Sequence, residues 1–109
     1  MIIEIKNANI LDSIITRFNK LVMYFYSDWR HECIVFNKIY LQISRKNEYS
    51  NITFCQINID NFPNIREPYD IDVCKTPCLI TIKDGEIVGK LYANKPEIFK
   101  DLMYNFNHL

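Results

Sequence analysis

Hydrophobic positions change period several times along the chain, and each change marks an element. Ile2, Ile3 and Ile5 interleave with Glu4 and Lys6, which predicts a first strand over residues 2–6. Leu11, Ile14, Ile15 and Phe18 then recur at helical spacing behind Asn9, predicting a helix over 10–18 with Asn9 as its cap. Leu21-Val22-Met23-Tyr24-Phe25-Tyr26 is an unbroken apolar run, the pattern of a strand buried on both faces. Polar residues interrupt the chain from Ser27 to Cys33. Val35, Phe36, Ile39, Tyr40 and Ile43 then predict a long helix over 32–46.

Residues 52–59 read as a further strand, and Pro63 and Pro68 bracket a short helix. Two more strands, 78–83 and 86–92, flank Asp84-Gly85, a dipeptide suited to a two-residue hairpin turn. Ile98, Leu102 and Phe106 mark the apolar stripe of a closing helix over 95–106. The order is β-α-β-α-β-α-β-β-α. Strands that alternate with helices pair in parallel through right-handed crossovers, whereas the last two pair as a hairpin. The expected fold class is α/β: a central mixed five-stranded sheet with helices on both faces. No repeat or low-complexity linker divides residues 1–109, which are expected to form one domain.

Composition narrows the function classes. The chain has 109 residues and is 49% hydrophobic, enough for a core that does not need disulfide staples. Thirteen Lys and Arg balance thirteen Asp and Glu, so no general field draws it to nucleic acid or to an anionic membrane. No apolar run approaches the length of a membrane span, and the N-terminus lacks the basic and apolar regions of an export signal. A cytoplasmic location with reduced thiols is expected. The four cysteines at positions 33, 55, 74 and 78 are spaced irregularly. His31 and His108 are far apart and His31 has no ligand-spaced companion, so neither a metal site nor a cofactor is expected.

Phe25-Tyr26-Ser27-Asp28-Trp29, Asn58-Ile59-Asp60, Thr76-Pro77 and Lys83-Asp84-Gly85-Glu86-Ile87-Val88-Gly89 occur in an order and spacing that resemble the thioredoxin superfamily over nearly the whole chain. The resemblance implies the thioredoxin fold. It also implies that Trp29 precedes the active-site loop and that Pro77 is the cis-proline facing it. Arg30-His31-Glu32-Cys33 then stands where thioredoxins carry Cys-Gly-Pro-Cys. Disulfide exchange needs an exposed thiolate to attack and a second thiol to resolve the mixed disulfide. Arg30 cannot attack sulfur, and Cys33 holds the resolving position. Tyr24 also stands where the family keeps a buried acid that assists proton transfer. Two branches of the superfamily share the missing first cysteine: the thioredoxin-like domain of PICOT-type monothiol glutaredoxins and the spliceosomal thioredoxin-like proteins. The chain is similar to both.

Two functions remain open on this reading. In the first, the chain is a non-catalytic or monothiol interaction module in redox homeostasis. Trp29, Arg30, His31, Thr76 and Pro77, with Asp60, would border a groove for a protein or an extended peptide; Trp and Arg commonly anchor interfaces. In the second, it is a thiol–disulfide oxidoreductase using Cys33 with Cys78 or with glutathione. Cys78 follows Pro77 directly, and a disulfide to Cys33 would need Cα atoms about 4.4–6.8 Å apart. Cys74 is expected to be exposed, and Cys55 shares strand parity with the core residues Ile57 and Ile59.

Overall fold

The computed structural model describes residues 2–65, 68–92 and 95–109. Among them, five strands form one sheet: β1 (Ile2–Glu4), β2 (Lys20–Tyr26), β3 (Thr53–Asn58), β4 (Cys78–Lys83) and β5 (Glu86–Tyr92), in the spatial order β1-β3-β2-β4-β5. β1 and β2 both pair in parallel with β3. β4 runs antiparallel to β2, and β5 antiparallel to β4. Three α-helices complete the fold: α1 (Leu11–Arg17), α2 (His31–Ser44) and α3 (Pro96–Asn107).

The two-residue period of the strands divides the core. Leu21, Met23 and Phe25 of β2 join Cys55, Ile57, Cys78, Ile80 and Ile82 on the face covered by Leu11 and Ile14 of α1. Val22 and Tyr24 join Phe54 and Leu79 on the opposite face, under Phe36 and Tyr40 of α2 and Phe99, Met103 and Phe106 of α3. Residues 21–25 have no measurable exposure, as expected of a central strand with both faces covered. Lys20 at the strand's entrance is also buried. Its Nζ donates to the Asn107 carbonyl at 2.9 Å, which satisfies a carbonyl at the C-terminal end of α3 and sets a cation against that end of the helix dipole.

Several local details differ from the sequence pattern. The chain enters α1 through a 3₁₀ turn over Ala8–Ile10, so Ile10 is the N-cap and Asn9 does not cap the helix. Asn7 acts instead, its side-chain oxygen accepting from the Asn9 N–H at 2.9 Å. α3 buries Phe99, Met103 and Phe106, while Ile98 stays exposed. Both stripes have helical spacing, and the one that prevails sets the Phe99 ring 5.1 Å from that of Phe36. Val35 of α2 likewise faces outward. The helix expected between Pro63 and Pro68 is a 3₁₀ turn over Pro63–Ile65, and the rest of that segment, residues 66 and 67, lies outside the described residues. The 83–86 turn has positive φ at both Asp84 and Gly85, the conformation that matches the twist of a two-residue hairpin.

Candidate functional site

The site is assembled at the carboxyl end of β2, where the chain leaves the sheet and turns into α2. Asp60, just beyond β3, holds this loop through both carboxylate oxygens: Ser27 Oγ–H donates to one at 2.7 Å and Trp29 Nε1–H to the other at 3.3 Å. Asn58 supports the same loop, its amide donating to Asp28 at 2.8 Å. Trp29 is thereby fixed at one edge while 62% of its surface remains exposed.

Arg30 is the N-cap residue of α2, with its backbone carbonyl accepting from the Cys33 and Ile34 N–H groups. Its side chain makes no capping hydrogen bond. Nε donates to the Thr76 carbonyl at 3.4 Å, Nη2 lies 3.5 Å from Glu32, and the guanidinium carbon sits 5.8 Å from the centre of the Trp29 ring. The Thr76–Pro77 peptide is cis. Arg30, Glu32, Cys74, Lys75, Thr76, Pro77 and Tyr92 line a cleft of about 310 Å³. Of the residues singled out in the sequence, Arg30, Thr76 and Pro77 therefore meet around one cavity. Trp29 flanks it through Arg30, and His31 is exposed in the first turn of α2.

Cys33 lies behind this rim with no surface exposure. The Ser27 N–H donates to its Sγ at 3.5 Å. Burial pushes the thiol up, while the Ser27 N–H, a hydrogen bond with the Thr76 side chain and the charge of Arg30 pull it down, and Glu32 pushes it up again; the net direction is upward. A helix start ordinarily favours a thiolate, but burial outweighs that influence here. Cys78 is buried on the α1 face beside Phe25, its strand partner, whereas its neighbour Leu79 faces α2. Burial pushes the Cys78 thiol up to about 12, slightly offset by Lys90. All four cysteines are free thiols, and only Cys74 is exposed.

Tyr24 fills the space beneath the loop. Its one hydroxyl proton is donated to Asn37 Oδ1 at 2.5 Å and shared with the Cys33 carbonyl at 3.3 Å, and desolvation holds it well above the ordinary tyrosine value. Asn37 was not apparent as a site residue from pattern alone. The signal was its spacing: it lies one helical turn after Cys33, where a polar side chain can reach a group beside that cysteine. Ser27 is likewise visible only as the first polar residue after an apolar strand. Among the described residues, no group of three or more His, Cys, Asp or Glu is gathered as metal ligands. A larger hollow of about 490 Å³ opens between Glu4, Lys6, Tyr26 and Asn58, but the Glu4 carboxylate there already accepts from Gln56 at 2.7 Å and Tyr26 at 3.2 Å.

A parallel-antiparallel sheet of this order, with a loop-to-helix junction facing a cis-proline, defines the thioredoxin class of folds. The thioredoxin family model matches residues 1–104, and the chain belongs to that family. It is 28% identical over 101 residues to monothiol glutaredoxin-4 of Saccharomyces cerevisiae, covering 90% of this chain and 41% of that protein. It is 30% identical over 76 residues to thioredoxin AMT13 of Alternaria alternata, covering 70% of this chain and 61% of that protein. The chain thus spans 41% of the first relative's length and 61% of the second's, less than two thirds of either. The crystal structure of Malassezia sympodialis thioredoxin superposes with a TM-score of 0.89 at 14% identity, over 98% of this chain and 91% of that one. No helix among the described residues is long and apolar enough to cross a membrane.

Proposed function

We propose that this chain is an interaction module of the thioredoxin family that has given up dithiol exchange and keeps the groove. The observation that carries this reading is Arg30, which stands at the start of α2 where the attacking sulfur is needed, with its guanidinium directed to the Thr76 carbonyl. Exchange requires a thiolate that a substrate disulfide can reach. Cys33 offers a buried thiol whose proton is held more tightly than usual. The binding parts are in better order: Trp29 is fixed by Asp60 yet exposed, and the cleft past Arg30 runs along Thr76 and Pro77. The partner on this reading is a protein or an extended peptide, in the cytoplasm.

A second reading, exchange through Cys33 with Cys78 or with glutathione, draws on the Ser27 N–H and Arg30, which both favour a Cys33 thiolate. The position of Cys78 on the α1 face of the sheet weighs against the cysteine pair. Insulin reduction with dithiothreitol as electron donor separates the two functions. We expect the wild-type protein and Cys33→Ser to give the same turbidity rate as dithiothreitol alone. Clear catalysis by the wild type that disappears in Cys33→Ser would establish the second reading.

A further inference from the structure

Arg30 does more than remove a nucleophile, because its side chain forms one wall of the cleft. Its planar guanidinium carries five N–H donors. The contacts found for it are long, 3.4 Å from Nε to the Thr76 carbonyl and 3.5 Å from Nη2 to Glu32. The group is nonetheless partly withdrawn from solvent, its side chain being 21% exposed against 52% for Glu32. A largely buried cation that lines a cavity and has more donors than these two long contacts use favours a planar anion that can accept two hydrogen bonds at once. Lys75 adds a second cation to the same lining, with Nζ 5.9 Å from the Tyr92 ring centre and 4.0 Å from Asp72. Glu32 is the one acid in the lining, and it stands in the first turn of α2, where a carboxylate is stabilised with or without Arg30. It can therefore release the guanidinium to a competing carboxylate at small cost.

We propose that the cleft selects an extended peptide bearing an aspartate or glutamate, whose carboxylate displaces Glu32 and pairs with Arg30 while the flanking residues lie along Thr76 and Pro77 and against Trp29. This rests on the groove-binding reading and names its specificity. The residue that replaced the attacking sulfur would then be the residue that reads the partner.

The protein's single tryptophan is part of the site, so binding can be followed by its fluorescence. The probe is a random library of twelve-residue peptides with one central position varied among Asp, Glu, Asn, Gln, Lys and Ala, selected on the immobilised protein and then titrated singly. The wild type should enrich Asp or Glu at that position. Arg30→Gln should lower the affinity for the acidic peptides about tenfold or more, the range of a charge-assisted hydrogen bond, and bring them level with their amide counterparts. Glu32→Gln, which removes the competing carboxylate and leaves the cation, should raise their affinity, and Arg30→Glu should turn the preference toward Lys. Peptides bound without acidic preference, or a preference that survives Arg30→Gln, would overturn the selectivity and leave groove binding standing. A library from which no peptide is retained would overturn both.

Discussion

On the proposed reading, position 30 limits what the loop can do. Cys33 is a small buried group at the start of α2, and the Tyr24 hydroxyl bonds to Asn37 and to the Cys33 carbonyl. Iodoacetamide at neutral pH should therefore label Cys74 first, because it is exposed, while Cys33, Cys55 and Cys78 react only on unfolding. Peptide mapping by mass spectrometry would read this, and early labelling of Cys33 would contradict it. Tyr24→Phe removes the two hydrogen bonds without changing the ring packing, so it should cost about 0.5–1.5 kcal/mol in urea denaturation. That Arg30-His31-Glu32-Cys33 carries a single cysteine could be read directly from the sequence. The Tyr24–Asn37 contact could not, because it depends on how α2 is rotated above β2, and neither residue's type dictates that rotation.

The elements show the same division between local and long-range information. The β4–β5 hairpin is written in two residues: Asp84 and Gly85 both adopt positive φ, and Gly85 does so with open space around it. Gly89 is constrained differently. A Cβ there would lie 2.6 Å from Thr81 Oγ1 on the neighbouring strand and 3.6 Å from Leu102 of α3. Gly85→Ala should cost about 1–2 kcal/mol through backbone strain alone, and Gly89→Ala about 1–3 kcal/mol through overpacking. Thermal or urea unfolding distinguishes the two in a Thr81→Ala background, which removes the clashing Oγ1: the cost of Gly89→Ala should then fall and that of Gly85→Ala should not. Strand positions were legible because period-two burial is imposed by the backbone itself. The face of α3 was not, because Ile98-Leu102-Phe106 and Phe99-Met103-Phe106 both fit a helix, and only the aromatic cluster that Phe99 forms with Phe36 and Tyr40 of α2 on the same face of the sheet decides between them. The entry to α1 is ambiguous in the sequence for a related reason: Asn7 and Asn9 are equally good capping types, and the 3₁₀ turn places Asn7 at the useful end.

Burial makes several thiols and tyrosines hold their protons more tightly than usual. Burial raises the Cys33 thiol and pushes those of Cys55 and Cys78 up to about 12, and it raises Tyr24 and Tyr40 as well. In the unfolded chain the thiols lose their protons near 9, the ordinary value. A group raised on folding stabilises the protonated native state below its unfolded pKa and loses that advantage as pH rises toward the folded one. Stability attributable to these groups should be flat from pH 7 to about 9 and fall steadily between 9 and 12. Urea midpoints that rise over that interval would contradict the burial of the thiols. The fold is held without a disulfide, all four cysteines being free. The account's central claim is that a cation has taken the attacking position on a scaffold otherwise built for exchange. Insulin reduction by the wild type and by Arg30→Cys, measured side by side, tests it most directly. The account predicts background turbidity for the wild type and a clear gain for Arg30→Cys, held below that of a full dithiol thioredoxin by Tyr24; equal rates for the two proteins, with the wild type well above background, would contradict it.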